Sequence, residues 1–271
     1  MPVYLGAGLL LCAALYLFLT APRRPRREKW PRDFFRCDFA HRGLYGGTVP
    51  ENSLRAFDLA AGLGYGIELD VQLSRDGQLI VFHDATLSRM CGEDRSVKDL
   101  TGEELKQYRL GGSDEAIPTF DEVLACVQGR TPLIIELKTA GKRNAELARK
   151  THERLKSYRG GWVVESFDPR LLRWFRKNAP QVIRGQLAYD PKRGGPPAKG
   201  VRFWFLANLL MNWLSRPDFI AYGCETDKNP SFRLIPKIFH PVLVAWTVRS
   251  TDAYRLLQSR YDLQIFEGFE P

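Results

Sequence analysis

Short apolar segments alternate with amphipathic stretches from residue 39 to the end of the chain. The apolar segments have the length of strands, and most of the stretches between them, such as 52–62 and 252–260, have helical spacing. This alternation is typical of repeated βα units around a parallel sheet. Eight parallel strands separated by helices close into a barrel, so the pattern predicts an α/β fold of the TIM-type (β/α)8 class. The eight predicted strands are Phe39–His41, Gly66–Val71, Pro132–Leu137, Trp162–Ser166, Ile183–Leu187, Phe219–Tyr222, Leu243–Val248 and Leu263–Phe266.

A hairpin interrupts this pattern between residues 69 and 83. Two apolar runs are joined there by Ser74-Arg75-Asp76-Gly77, which is too short to hold a crossover helix and contains the Asp-Gly pair common in tight turns. If the turn is centred between Arg75 and Asp76, pairing brings His83 opposite Glu68. The sequence therefore predicts that His83 returns to the level of Glu68 and Asp70.

A second interruption follows the hairpin at residues 84–118. This segment is polar and rich in turn-forming residues, which predicts a small insertion above the barrel rather than another βα unit. Within it, Leu100-Thr101-Gly102-Glu103-Glu104-Leu105 has the pattern of a capped helix start.

The N-terminal segment is the most apolar part of the chain. Residues 3–21 form a run of 19 uncharged residues, just long enough for a hydrocarbon core of roughly 30 Å. No Lys or Arg precedes the run, and Leu19-Thr20-Ala21 is a poor cleavage site, which favours an uncleaved transmembrane helix over a signal peptide. The pattern predicts an anchor at 1–21, a basic linker at 22–36 and a barrel domain at 37–271.

The charge distribution places that barrel relative to the membrane. The formal net charge is +9, but residues 21–29 alone hold four arginines and Lys29 against Glu28. Such a local cluster is unlike a nucleic-acid-binding groove, and under the positive-inside rule it predicts a single-pass protein with a cytoplasmic catalytic domain. The alternative is export, in which the arginines form only a solvated linker. The five cysteines are an odd number without a CxxC pair, which predicts neither a disulfide framework nor a zinc site.

Three acids occupy strand positions where charge is costly. Glu68 and Asp70 share one face of a predicted strand, and Glu136 shares a face with Lys138 at the end of another. One such acid is explained by solvent or a salt bridge at a strand end. Three together favour a divalent cation, and carboxylate oxygens favour Mg²⁺ or Ca²⁺ over zinc.

The first predicted strand ends in His41-Arg42-Gly43. Histidine exchanges protons near neutral pH, arginine offers a planar set of donors to phosphate oxygens, and glycine permits close backbone approach. The simpler alternative is that His41 is a core histidine bonded to a backbone carbonyl.

Six motifs in order resemble the glycerophosphodiester phosphodiesterases, here of the membrane-anchored bacterial type. The resemblance covers about residues 38–271 and implies a TIM-type barrel with a small insertion after the second histidine. The motifs are His41-Arg42-Gly43, Pro50-Glu51-Asn52-Ser53, Glu68-Leu69-Asp70, His83-Asp84, Glu136-Leu137-Lys138 and Ala245-Trp246-Thr247-Val248. The usual closing segment of the family, Gly-Val-Asp-Gly-Ile-Ile-Thr-Asp-x-Pro, corresponds to residues 261–271. The last strand is retained but the residues after it differ, which leaves the substrate preference at that edge open.

The resemblance implies hydrolysis of glycerophosphodiesters to glycerol 3-phosphate and an alcohol, with one divalent cation. His41 and His83 would form the acid–base pair, in either order, and Glu68, Asp70 and Glu136 would hold the cation. The family's reaction has the adjacent hydroxyl of the substrate attack phosphorus, giving a cyclic phosphate that water opens.

Four further residues would bind substrate or phosphate: Arg42, Lys138, Glu51 and Trp246. Two of them have alternatives. Glu51 would equally cap a helix beginning near Asn52. Trp246 shares a strand face with Val244 and Val248, and ordinary barrel packing would explain it.

Two other functions compete. Residues 191–214 combine basic residues with aromatic residues (Lys192, Arg193, Lys199 and Arg202; Phe203, Trp204 and Trp213), a pattern that suits a membrane interface. This favours a lysophospholipase D acting on membrane lysophospholipids, although a barrel-covering helix with its aromatic residues in the core explains the same residues. A non-catalytic membrane-anchored binding protein is the other alternative, but such proteins lose a histidine or a metal acid, and none is lost here.

Overall fold

Nine strands form one sheet in the computed structural model, which describes residues 2–24, 27–193 and 200–271. Eight are parallel and close a ring because β1 pairs with both β2 and β9, while β3 pairs antiparallel with β2. The predicted barrel is therefore confirmed. The strands are β1 (Phe39–His41), β2 (Gly66–Leu73), β3 (Leu79–Val81), β4 (Leu133–Leu137), β5 (Trp162–Ser166), β6 (Arg184–Ala188), β7 (Phe219–Gly223), β8 (Val242–Val248) and β9 (Leu263–Phe266).

Helices follow most of the parallel strands and cover the outside of the barrel. Side chains at N-caps begin several of them, such as Ser53, whose hydroxyl accepts a hydrogen bond from the Ala56 amide. The helices are α1 (Pro2–Thr20), α2 (Leu54–Gly62), α3 (Ser88–Cys91), α4 (Gly102–Leu105), α5 (Phe120–Val127), α6 (Asn144–Leu155), α7 (Pro169–Asn178), α8 (Val201–Ala207), α9 (Asn212–Ser215), α10 (Pro230–Phe239) and α11 (Thr251–Leu257).

Alternation along each strand divides the apolar residues into an inner and an outer core. On β4, Ile134 packs inside the barrel, whereas Leu133 and Ile135 pack outward against the helices. Inward positions near the beginning of the strands are apolar and fill the barrel. The chemistry-bearing side chains therefore lie at the other end, where the strands finish.

The C-terminal part of the predicted linker at 22–36 packs against the barrel. Trp30 and Phe34 are buried in the inner core against Phe39 and Phe219, the first residues of β1 and β7. The Trp30 ring lies 5.3 Å from Phe34 and 5.4 Å from Phe219, measured between centroids. This segment closes the N-terminal end of the barrel, because its aromatic rings pack against the first inward side chains of β1 and β7. Residues 25 and 26 of the predicted linker lie outside the described residues.

A helix occupies most of the predicted anchor. The side chain of Asn212 donates a hydrogen bond to the Thr20 carbonyl at 2.9 Å, and Arg216 donates to the Ala21 carbonyl at 2.9 Å. Nothing in the described part of the chain forms a helix of sufficient length and apolarity to pass through a membrane, so the predicted transmembrane span is not supported. Met1 lies outside the described residues.

The hairpin is present, but its predicted register is wrong by one residue. Val71 pairs with Val81 and Leu73 with Leu79, so continuing the register would place residue 83 opposite residue 69. The loop has three residues rather than two, because Gly77 adopts a left-handed conformation (φ +82°) and its amide bonds the Ser74 carbonyl. Although β3 ends at Val81, the Phe82 amide still donates to the Asp70 carbonyl at 3.0 Å, directly before His83.

Residues 84–118 pack over this hairpin and share a small apolar cluster with it. The Thr101 hydroxyl accepts from the Glu104 amide while the Glu104 carboxylate accepts from the Thr101 amide, so the predicted capped start is confirmed. The cluster comprises Ile80, Phe82, Leu87, Val97, Leu100, Leu105, Leu110 and Ile117.

Candidate active site

A cavity of about 540 Å³ opens at the C-terminal ends of the barrel strands. One half of its wall is charged and is built by β1, β2, β4 and the segment after β3. The other half is largely apolar, although Arg202 and Arg249 also line it. The charged wall contains His41, Glu68, His83, Glu136 and Lys138, so the structure brings together side chains that are up to 97 positions apart in the sequence.

Glu68, Asp70 and Glu136 converge as the sequence predicts. One oxygen from each lies within 4.8 Å of the others, and the three residues are at most 7% exposed. The register explains the meeting, because Asp70 on β2 pairs laterally with Glu136 on β4. Burial raises the pKa of Glu68, and the charges of Asp70 and Glu136 raise it further. Burial likewise raises the pKa of Glu136 to about 7, although Lys138 opposes the shift.

Two cations face these acids. The Lys138 Nζ lies 2.8 Å from Asp70 Oδ1 and 2.8 Å from Glu136 Oε2, while Arg42 Nε lies 3.4 Å from Asp70 Oδ2. Burial would raise the pKa of Asp70, but Lys138, His83 and Arg42 outweigh it and hold that pKa well below its usual range. Two cations do not balance three buried carboxylates, and the remaining repulsion fits a divalent ion with hard oxygen ligands.

The backbone after β1 is shaped to approach the acids. Arg42 and Gly43 both have positive φ angles, and the Arg42 amide donates a hydrogen bond to Glu68 Oε2 at 3.2 Å. A side chain at position 43 would meet the Ala56 backbone at 2.9 Å, so only glycine fits. The side-chain amide of Asn52 donates to Asp70 Oδ2 at 2.8 Å, which ties the entrance of α2 to the site.

His41 is oriented by Glu267, a residue that the sequence did not identify. His41 Nδ1 lies 2.5 Å from Glu267 Oε2, and His41 Nε2 lies 3.9 Å from Glu68 Oε2. A proton on Nδ1 directed at the carboxylate leaves Nε2 facing the acids. Burial lowers the pKa of His41, and the hydrogen bond with Glu267 opposes that shift.

His83 is held in the same way from the other side of the cavity. Its Nδ1 lies 2.6 Å from Asp84 Oδ1, and Arg89 Nε donates to Asp84 Oδ2 at 2.6 Å. The side chain of Gln72 donates to the Phe82 and Asp84 carbonyls at 2.6 and 2.7 Å, fixing the backbone on both sides of His83. Burial lowers the pKa of His83 although Asp70 opposes the shift.

Glu51 lies beside the site and does not cap α2, so that alternative is wrong. Ser53 is the cap, and Glu51 accepts from Arg42 at 2.8 Å and from Arg89 at 2.6 Å. It therefore links the arginine of the site to the insertion.

Trp246 lies in the apolar half of the cavity wall, in edge-to-face contact with Phe167 and Tyr189. Val244 packs on its side of β8, but Val248 belongs to the outer core. The predicted shared face is wrong for Val248, because the register between β8 and β9 shifts between Ala245 and Val248.

Helix α8 borders the same apolar half. Phe203 and Leu206 line the cavity, whereas Trp204 is 50% exposed and Trp213, on α9, 38% exposed. The segment is thus partly core and partly surface. Lys199 of the predicted basic loop lies outside the described residues, and the Arg193 side chain is not described.

Two acidic residues of the site were not predicted from the sequence. Glu165 lies on β5 at an inward position, and Glu267 directly follows β9. An acid immediately after a strand of a barrel is a usable signal for Glu267. For Glu165 the usable signal is the alternation of inward and outward side chains along β5, because Glu165 lies two positions after the inward Val163.

Comparison with known proteins agrees with this geometry. A model of the glycerophosphoryl diester phosphodiesterase family matches residues 41–262. A glycerophosphodiester phosphodiesterase of Caldanaerobacter subterraneus subsp. tengcongensis is 37% identical over 82% of this chain and 90% of the relative. One from Bacillus altitudinis is 38% identical over 56% of this chain and 66% of the relative. A lysophospholipase D of Rattus norvegicus is 32% identical over 53% of this chain and 48% of the relative.

The fold has solved counterparts. A phosphodiesterase of Oleispira antarctica, solved in complex with the product sn-glycerol-3-phosphate, superposes with a TM-score of 0.70 at 24% identity. The match covers 89% of this chain and 94% of that one. This likeness concerns the barrel and its connections.

Proposed function

This chain belongs to the glycerophosphoryl diester phosphodiesterase family, and we propose that it hydrolyses glycerophosphodiesters to glycerol 3-phosphate and an alcohol. The observation that carries the proposal is the charged half of one cavity, where two imidazoles flank three carboxylates. Arg42 and Lys138 lie in the same half, so a phosphodiester has both proton-transfer groups and counter-charges within reach.

The acids fit a resident divalent cation, Mg²⁺ or Ca²⁺. Glu68, Asp70 and Glu136 would hold it, since their oxygens converge and their mutual repulsion is incompletely balanced by protein cations. The ion would supply Lewis acidity to the bound substrate. Arg42 and Lys138 would hold the remaining phosphate oxygens.

The two histidines divide the proton transfers. Each has Nδ1 committed to a carboxylate, which leaves Nε2 to exchange a proton with substrate. One would take the proton of the attacking hydroxyl, and the other would give a proton to the departing alcohol. Attack by the adjacent glycerol hydroxyl gives a cyclic phosphate, and the same pair then serves the water that opens it.

The test is product identification from purified full-length protein. Glycerophosphocholine and glycerophosphoethanolamine are incubated with Mg²⁺, Ca²⁺ or EDTA, and glycerol 3-phosphate is quantified enzymatically. We expect release that requires one of the ions and is lost in Glu136→Gln. Release of choline phosphate instead, or equal turnover in EDTA, would contradict the proposal.

A lysophospholipase D activity is the second candidate, supported by the apolar half of the cavity. Phe167, Leu187, Tyr189, Phe203 and Leu206 line it beside the charged half, which gives an acyl chain an apolar wall next to the phosphate site. Lysophosphatidylcholine in the same assay distinguishes the two, because this activity releases lysophosphatidic acid rather than glycerol 3-phosphate.

The exposed tryptophans near this wall test contact with lipid. Trp204→Lys and Trp213→Lys should lower co-sedimentation with anionic liposomes while leaving the melting temperature unchanged, if these rings enter the interface. Loss of the fold in both variants would instead assign the rings to the core.

We also propose that α1 attaches the enzyme to a membrane and that the barrel lies in the cytoplasm. Supporting this, Leu9, Leu10 and Leu11 are 66–74% exposed on a helix without charged residues. The arginines that follow would remain on the cytoplasmic side. Recovery in the carbonate-washed membrane fraction, with the barrel protected from external protease in intact cells, is the expected result; release by carbonate would contradict it.

A further inference from the structure

Glu165 is a buried acid of the cavity wall that the proposed chemistry leaves without a role. It is 1% exposed, lines the cavity and points inward from β5. Within residues 2–24, 27–193 and 200–271, its carboxyl group takes part in no hydrogen bond or ion pair, and its Oε2 is fully buried without a partner. Buried carboxyl groups are costly when unpaired, so this group requires a partner that binds in the cavity.

Its neighbours cannot supply that partner. The Ser166 hydroxyl is committed to the Leu137 carbonyl at 2.7 Å. The side-chain amide of Gln186 donates to the Ser166 and Phe167 carbonyls at 3.2 and 3.3 Å. Glu165 is also absent from the group of converging oxygens formed by Glu68, Asp70 and Glu136 among the described residues.

Glu165 lies where the charged half of the cavity meets the apolar half. Glu136 pairs laterally with Asp70 on one side and with Glu165 on the other, and the next strand contributes Leu187. Neighbouring strands are about 4.8 Å apart. A phosphate held by Lys138, which directly follows β4, would therefore place the far end of its glycerol, three carbons away, at the level of Glu165.

We propose that Glu165 binds the terminal hydroxyl of the substrate's glycerol, the one that does not attack phosphorus. This assignment rests on the proposed function and adds the recognition of glycerol to it. The buried carboxyl group at this position has a hydrogen-bond partner only when that hydroxyl is present. It thereby selects glycerol over diols of similar size, because a substrate without the hydroxyl leaves the buried group unpaired.

The test compares two substrates that differ only in this hydroxyl. One is sn-glycero-3-phosphocholine, and the other is its analogue in which the terminal CH₂OH is CH₃, which keeps the adjacent attacking hydroxyl. In the wild-type protein kcat/KM should favour the glycerol substrate by about 10- to 100-fold, the range for leaving a buried polar group without its hydrogen-bond partner. Glu165→Leu should remove this preference by lowering the glycerol value alone, and Glu165→Gln should keep part of it.

Binding provides an independent readout. The Kd of glycerol 3-phosphate, measured by calorimetry with Mg²⁺ or Ca²⁺ present, should rise in Glu165→Leu, and that of propane-1,2-diol 1-phosphate should not. The Kd of the metal ion alone should be unchanged. The matched control is Thr151→Val, since Thr151 Oγ1 is also buried without a hydrogen-bond partner but lies on α6 outside the cavity; it should keep the wild-type preference.

Three results would overturn the assignment. They are a wild-type enzyme without preference between the substrates, an equal loss on both substrates in Glu165→Leu, and a raised metal Kd in that variant. The first needs no variant and so holds even if Glu165→Leu does not fold. A wild-type protein that hydrolyses neither substrate and binds neither phosphate would overturn the proposed function as well.

Discussion

Each candidate catalytic histidine is held by a carboxylate that is itself held by a second group. Glu267 accepts from the Tyr45 hydroxyl at 2.9 Å and from Arg249 at 2.5 Å, and Asp84 accepts from Arg89. Burial opposes ionisation of Glu267, but His41, Tyr45 and Arg249 lower its pKa to about 2. A carboxylate that stays charged across the neutral range fixes one ring tautomer, so both Nε2 atoms are directed at the cavity.

Replacing either histidine therefore removes a proton-transfer group without removing the phosphate site. We expect His41→Ala and His83→Ala each to lower kcat by about 10²- to 10⁴-fold, the usual contribution of general acid–base catalysis, with a smaller change in KM. Steady-state kinetics on glycerophosphocholine measures both. His240→Asn is the control, because His240 caps α10 in a left-handed conformation (φ 49°) that asparagine tolerates. Near-wild-type turnover in either alanine variant would exclude that ring from the chemistry.

The residues that could be predicted are those that strand alternation places on an inward face. His41, Glu68, Asp70, Glu136 and Lys138 all follow from period-two spacing near strand ends. Glu267 could not be predicted from motif comparison, because the closing segment departs from the usual family pattern after Phe266. Its pairing with His41 depends on closure of the ring between β1 and β9, which no local pattern specifies.

At the scale of elements, the loops above the barrel are fastened by single polar side chains. Asp168 accepts from the Arg170 amide at 3.0 Å and so caps α7, and it also accepts from Thr139 and Asn144 at 2.9 Å. One carboxylate thus joins the loop after β4, the start of α6 and the start of α7. Burial alone would raise its pKa, but these donors and the Arg170 side chain lower it to about 2.

This depressed pKa makes part of the stability dependent on pH. Because the folded value lies below the ordinary value of 3.8, the stabilisation is fully present above about pH 4 and is lost as pH falls through 2. The shift corresponds to about 2 kcal/mol. Asp168→Asn should lower the free energy of unfolding at pH 7 by a similar amount and should lose less stability between pH 5 and 2. Urea titrations at each pH measure this.

The matched control for that experiment is Asp94→Asn on the surface of the insertion, which should leave the urea midpoint at pH 7 unchanged. Parallel loss of stability with falling pH in the wild type and in Asp168→Asn would contradict the assignment, since the carboxylate could then not be the group that titrates.

Strand positions were predictable to within one or two residues, whereas the hairpin register was not. Runs of buried residues between turn-forming residues locate a strand, but an Asp-Gly pair suits both two- and three-residue loops. The left-handed conformation of Gly77 gives the three-residue loop rather than the two-residue loop. His83 reaches the site because Gln72 fixes the backbone beyond the last ladder pair, a contact between side chain and backbone that periodicity does not encode.

At the scale of the whole molecule, the barrel has two chemically different ends. The inner core and the rings of Trp30 and Phe34 close the end where strands begin, and the charged cavity occupies the end where they finish. Between them the wall of the cavity is charged from β1 to β5 and largely apolar from β6 to β8, apart from Arg202 and Arg249. The acids and histidines that would act on a phosphodiester lie in the first of these halves, so the reacting phosphate group is expected there.

In the charged half of the cavity wall, the carboxylates repel one another, and a bound cation would relieve this repulsion. Mg²⁺ or Ca²⁺ should therefore raise the melting temperature of the wild-type protein, since a ligand that binds only the folded state stabilises it. At a concentration of about 100 times Kd the gain is about 2.7 kcal/mol. Glu136→Gln should abolish the shift, and differential scanning fluorimetry with either ion measures it. An equal shift in Glu136→Gln would place the ion elsewhere.

The packing that closes the end of the barrel where the strands begin limits how far the chain can be shortened. Trp30 packs on Phe34 and Phe219, and Arg27 forms an ion pair with Asp262, so the barrel includes residues well before β1. A chain beginning at residue 22 should keep this packing, whereas one beginning at residue 31 should lose about 3–5 kcal/mol of unfolding free energy, the usual cost of removing a buried tryptophan.

Trp30→Ala in the longer chain is the matched control and should reproduce most of the loss in urea titrations. The two shortened chains should share one kcat/KM where both are folded, because Trp30 lies at the end of the barrel opposite the cavity. Equal stability of the two chains would show that residues 22–30 are a linker after all.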